Sequence, residues 1–313
     1  MVGKSKSEIL NRSKNILNEL FVSIGNITLR IASEDPDLKL YADGTKEKFL
    51  VRGGDPDVDL SVAWRHLVHE PIGTKLFDSG SIWQLYRQDE LNLFRFTSPG
   101  YGSNPYKLAS FNHDFSTGTV YLHKPFPPPT QSPAQFVDPI CYPLDELLLV
   151  NVLARGRGAE IHACGIIDSN GHGHLFAGQS GAGKTTIARI WEGEPGVTLL
   201  SDDRIILRKE RKKIWMYGTP WHGEAGFALP AAAPLTHIYF LQKGAKNELL
   251  PQGRTEGAAR LFSCCFAPLY FPEAVNFTLA FFEEVVKAVP LHELRFLPDK
   301  SVIEFITSQT KSF

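Results

Sequence analysis

The residues with the plainest chemistry in this chain are Gly178-Gln179-Ser180-Gly181-Ala182-Gly183-Lys184-Thr185-Thr186. They satisfy the phosphate-loop pattern Gly-x-x-x-x-Gly-Lys-[Ser/Thr] at every fixed position. Glycines let the backbone curl so that successive N–H groups face phosphate oxygens. In such a loop Lys184 reaches the β- and γ-phosphates and the Thr185 hydroxyl ligates Mg²⁺. A helix beginning near Lys184 adds its positive end. Chance produces such a match in a chain this long about once in a hundred. The flanks supply the required context. His174-Leu175-Phe176-Ala177 reads as a short buried strand, and Thr185 to Trp191 as a helix.

A second feature lies 18 residues beyond Lys184. Val197-Thr198-Leu199-Leu200-Ser201 is a strand-like apolar run that ends in Asp202-Asp203, and Arg204-Ile205-Ile206-Leu207 resumes it. Carboxylates at a strand end beside a phosphate loop handle Mg²⁺ and the attacking group. Neighbours on extended chain point to opposite faces, so the two aspartates need not share one task.

Together these stretches resemble the HPr kinase/phosphorylase family. The shared order is Glu160-Ile161-His162-Ala163-Cys164-Gly165-Ile166-Ile167-Asp168, then Gly171-His172-Gly173, the phosphate loop, and Ser201-Asp202-Asp203-Arg204. The likeness covers roughly residues 155–210. It implies an α/β phosphate-loop domain related to that of phosphoenolpyruvate carboxykinase; the residue pattern before it adds a smaller, antiparallel β-rich domain. It implies transfer of phosphate from ATP, with Mg, to a serine hydroxyl on a protein or peptide. Carried over by position, Asp203 is the base, His162 supports it, and Lys184 and Thr185 bind phosphate and metal. Asp202 also serves the metal. Glu224 lies near the family's metal-binding glutamate, although the motif around it differs. The whole chain looks closer to HPr-kinase-like proteins that accompany peptide-modifying systems.

At 313 residues the chain is long enough for two domains with a sizeable core. It is 43% apolar and 21% charged, an ordinary globular balance. A net charge of −1 argues against a nucleic-acid partner. Cys141, Cys164, Cys264 and Cys265 lack C-x-x-C spacing, and reduced thiols fit a cytoplasmic protein. The N-terminus has no signal-peptide core, and no apolar run reaches the ~20 residues that span a membrane. Whether copies of the chain self-associate stays open.

Periodicity predicts an amphipathic helix over residues 1–20 and a β-rich domain to residue 125, with no assignable motif. Its clearest strands are Ile27–Ile31, Ser81–Tyr86, Leu91–Phe96, Lys107–Phe111 and Thr119–His123. The proline-rich stretch 126–133 reads as a stiff linker, and residues 134–313 as the nucleotide-binding domain. There a helix is expected over Leu144–Ala154, and strands at Ile214–Tyr217 and His237–Leu241. Helices follow near 255–266, 272–288 and 301–308. The basic run Arg208–Lys213 reads as a solvated turn, and His172 and His174 as turn residues. Arg254 and Arg260 are candidates for neutralising transferring phosphate, although ordinary surface charge is the simpler reading. Two other functions are compatible with these residues: a kinase acting on a free amino acid or other small molecule, and a nucleotide-dependent binding module without transfer.

Overall fold

The computed structural model describes residues 18–67, 73–102, 104–124 and 135–310. The expected helix over 1–20 therefore falls almost wholly outside the described residues, and Glu19 and Leu20 open a strand instead. The expected linker 126–133 also lies outside them. The chain is mixed α/β, with two large sheets and few helices among the described residues. It divides into two compact units, Met1–Ser23 with Ile27–Glu146, and Ile24–Asn26 with Leu147–Phe313.

The first unit is built on nine strands: β1 (Glu19–Ile24), β2 (Ile27–Ser33), β4 (Leu50–Val51), β5 (Val58–Arg65), β6 (Thr74–Asp78), β7 (Trp83–Gln88), β8 (Leu91–Thr97), β9 (Pro105–Phe111) and β10 (Thr117–His123). Their order is β4-β1-β2-β5-β10-β9-β8-β7-β6. Strands β3 (Leu38–Leu40) and β11 (Gln135–Val137) form a separate parallel pair. Alternation places Val22, Ile24, Leu29, Ile31, Val58, Leu60 and Val62 in the core. An antiparallel sheet was expected, but β5 runs parallel to both β2 and β10. The hairpins at Asp89-Glu90 and around Asp114 are local and legible. The longer connections that make β5 parallel have no local signature. A buried ion cluster ties the sheet to the end of this unit: Lys46 Nζ lies 2.9 Å from both Asp138 and Asp145.

The second unit contains β12 (Ala159–Ile167), β13 (Gly173–Ala177), β14 (Thr198–Ser201), β15 (Arg204–Glu210), β16 (Lys213–Gly218), β17 (Ala232–Lys243), β18 (Glu248–Pro251) and β19 (Leu291–Phe296). Its helices are α1 (Leu144–Leu153, which begins in the first unit), α2 (Lys184–Trp191), α3 (Arg254–Ser263), α4 (Pro272–Ala288) and α5 (Ser301–Thr310). Strand β13 lies between β12, antiparallel, and β17, parallel; β17 also runs parallel to β19. Period-two alternation divides the core in two. Ile161, Ala163, Leu175, Ala177, Ile238 and Phe240 pack with Leu261 of α3 and Phe281, Phe282 and Val285 of α4. Cys164, Ile166, Phe176, Tyr239 and Leu241 pack with Ile187 and Trp191 of α2 and Val302 and Ile306 of α5. The sheet thus carries helices on both faces, which is why its central strands read as unbroken apolar runs.

Candidate functional site

The phosphate-loop sequence leaves the buried end of β13 at Ala177 and enters α2 at Lys184. The glycines are required by shape. Gly181 and Gly183 have φ of 82° and 112°, and a Cβ at Gly183 would sit 2.8 Å from the Phe296 ring. Lys184 is only 6% exposed, and its Nζ donates to the carbonyls of Gly178 (2.9 Å) and Gln179 (3.2 Å). No carboxylate lies within ion-pair distance of it among the described residues. Burial lowers its pKa, partly opposed by Cys264, Cys164 and Asp202. A cation held on neutral carbonyls in a low-dielectric loop is suited to an incoming polyanion.

The loop borders a cavity of about 570 Å³. Its walls are Gly178–Ala182, the end of β17 from Phe240 to Lys243, and Arg260, Ser263 and Cys264 of α3 and its exit. Arg260 lies 4.3 Å over the Phe240 ring and pairs with Glu293 at 3.2 Å. The α3 exit is fixed against β12, where His162 N–H donates to Cys264 O at 2.7 Å and Phe266 N–H to Glu160 O at 3.0 Å. Arg254 is not among the lining residues. A larger cleft, about 780 Å³, lies on the first unit's sheet, lined in part by Arg30, Asp59, Arg65 and Tyr121. It contains none of the residues expected to bind phosphate.

The two aspartates, in the bend between β14 and β15, face opposite ways. Asp203 faces β12, and its Oδ1 lies 3.0 Å from His162 Nε2. Its Oδ2 pairs with Arg204, whose guanidinium also approaches Glu160 (3.5 Å) and covers the Phe266 ring (4.6 Å). His162 and Arg204 are cross-strand partners in the β12–β15 register. Burial first, then the charges of Lys184 and Arg204, bring the His162 pKa down to about 4. The ring is therefore neutral at pH 7, and since a carboxylate only accepts, Nε2 carries the proton and donates to Asp203.

Asp202 turns the other way and is 1% exposed. Its Oδ1 accepts the N–H of Gly223 (3.0 Å) and Phe227 (3.3 Å), and its Oδ2 that of Ala225 (2.9 Å). A Cβ at Gly223 would stand 2.7 Å from Oδ2, so glycine is needed for this approach. Ser201 Oγ donates to Trp221 O at 2.8 Å and accepts the N–H groups of Asp203 and Arg204. The Ser201-Asp202 pair therefore holds the 221–227 loop. Of the metal set expected from Thr185, Asp202 and Glu224, Asp202 accepts backbone N–H groups on both of its oxygens. Glu224 is exposed on the loop that Asp202 organises. Among the described residues no cluster of three or more His, Cys, Asp or Glu has the arrangement of a metal site.

His172 and His174 do not join this site. They meet Asp168 at 3.4 and 3.2 Å, and His174 is buried against Trp191. Arg204, Glu160 and Phe266 are the site residues without an expected role. The signal for Glu160 was its position two residues before His162, on the same strand face. Phe266 arrives from about a hundred residues away and has no local signal.

No protein-family model matches the chain, and comparison with curated proteins returns no match. No helix among the described residues is long and apolar enough to cross a membrane.

Proposed function

We propose that the chain is an ATP-dependent kinase of the HPr kinase/phosphorylase type, which transfers phosphate to a serine hydroxyl of a protein or peptide. The observation that carries this reading is the Asp203 carboxylate, held between neutral His162 and Arg204, with the charge of Lys184 acting on the same His162 ring. A simple nucleotide binder has no use for an oriented carboxylate beside its phosphate loop. In this reading the loop amides and Lys184 hold the donor phosphates. Arg204 and His162 together fix the orientation of the Asp203 carboxylate. Asp203 accepts the serine proton as the hydroxyl attacks. Arg260 lines the same cavity as the loop, where it would offset phosphate charge.

Magnesium fits part of the expected set. The Thr185 hydroxyl makes no hydrogen bond to protein among the described residues, and it would hold the ion together with the nucleotide's own oxygens. Bound there, Mg²⁺ would supply positive charge against the donor phosphates. Asp202 also holds the 221–227 loop, and so the position of Glu224.

Calorimetry with ATP and Mg²⁺ tests the phosphate site. Lys184→Ala is expected to keep the fold and lose nucleotide affinity. Equal affinity in the two proteins would remove the basis of the proposal.

A further inference from the structure

The first unit contains a buried amine that the phosphate chemistry does not use. Lys107 lies on the inward face of β9, between its register partners Phe96 on β8 and Leu122 on β10, and is 3% exposed. Its Nζ stands 5.7 Å from the Phe96 ring centroid and donates to Cys141 Sγ at 3.1 Å. Among the described residues this is its one hydrogen-bond partner. The nearby carboxylates Asp138 and Asp145 are both taken by Lys46. A lysine this deeply buried calls for an acceptor able to take charge, and the sulfur is the group it has.

Cys141 is placed to react. It is partly exposed, and it lies just ahead of α1, with its carbonyl accepting the N–H of Leu144 at the helix start. Its sulfur accepts a hydrogen bond from a buried lysine and sits at the start of a helix. The other cysteines are poorer candidates. Cys164 and Cys264 are buried, and burial pushes the Cys164 and Cys265 thiols up.

We propose that Lys107 and Cys141 form a thiol–amine pair that exchanges with small-molecule disulfides. The Cys141 sulfur, its proton held by Nζ, attacks one sulfur of the disulfide. A Cys141–S bond forms, the reagent's S–S bond breaks, and the departing thiolate takes up the proton as a free thiol. No further oxidant is needed, and a thiol reductant reverses the exchange. Because that proton comes from Nζ, the exchange leaves Lys107 as a neutral amine beside the mixed disulfide and the Phe96 ring.

The test uses the full chain, reduced and then exposed to oxidised glutathione at neutral pH, with the modified cysteines read by peptide mass. Cys141 is expected to be modified before the other three cysteines, and about tenfold faster than in the same chain unfolded in urea. Lys107→Met is expected to abolish that advantage. A native rate at Cys141 no higher than the unfolded rate overturns the proposal whether or not Lys107→Met folds. An unchanged rate in a folded Lys107→Met protein overturns it as well.

Discussion

Replacing Asp202 by asparagine separates two roles that the sequence alone leaves merged. In the structure its two oxygens accept three backbone N–H groups, from Gly223, Ala225 and Phe227. Hydrogen bonds to a charged acceptor are each worth about 1.5–3 kcal/mol, against about 0.5–1.5 for neutral ones. Asparagine keeps one oxygen, which serves Gly223 and Phe227 at neutral strength. Its NH₂ then faces the Ala225 N–H, donor against donor. The gross loss is about 4–5 kcal/mol. Relief from desolvating a buried carboxylate offsets part of it, leaving a net destabilisation of about 2–3 kcal/mol. Urea denaturation measures the total, and amide exchange at Gly223, Ala225 and Phe227 localises it. Those three amides are expected to lose protection before the rest of the sheet. Stability within about 0.5 kcal/mol of the parent, together with unchanged exchange, would refute the role assigned to Asp202. A loss of Mg²⁺-dependent nucleotide affinity with the loop's exchange intact would make Asp202 a metal ligand after all.

Acid should destabilise the second unit through half-buried histidines. His162 and His237 both have folded pKa values brought down to about 4 from 6.5, chiefly by burial. Between those values the unfolded chain binds more protons, so stability is fully present above pH 6.5 and falls as pH drops toward 4, by no more than about 3 kcal/mol for each residue. Denaturation midpoints that stay flat across that window would contradict the assignment of neutral rings. Gly183→Ala must take up a φ of 112° and push its Cβ against Phe296, so calorimetry should find ATP affinity lost and thermal denaturation a stability cost of about 1–3 kcal/mol. An alanine variant that binds ATP normally would show that the loop does not need this geometry.

What could be read from the sequence was local. The phosphate loop, strand β13 before it and helix α2 after it are contiguous, and the glycine positions follow from backbone shape. The hairpins of the first unit were legible because alternation and turn residues lie side by side. The division of labour between Asp202 and Asp203 was half legible: opposite faces are expected of neighbours on extended chain, but the pair lies in a bend between two strands. That Asp202 would spend its oxygens on amides more than twenty residues away depends on how the 221–227 loop folds back. The Glu160–Arg204–Phe266 surround of Asp203 needs β12, β15 and the exit of α3 to meet, and no window of sequence contains all three. Strand β19 was missed because Leu291-His292-Glu293-Leu294-Arg295-Phe296 mixes charge with apolar residues and lacks simple alternation. The parallel pairings of β5 were missed because long connections fix them.

The most direct test of the kinase assignment is single-turnover transfer from γ-labelled ATP with Mg²⁺ to a serine-containing peptide library, measured beside nucleotide affinity. The native chain is expected to label peptide serine. Asp203→Asn should bind ATP as before and transfer about 10²–10⁴-fold more slowly, with His162→Ala showing a milder form of the same defect. Transfer by Asp203→Asn at the native rate would contradict the role of Asp203 as base. Tight ATP binding by the native chain with no label leaving the nucleotide would contradict the kinase assignment itself and favour a binding module.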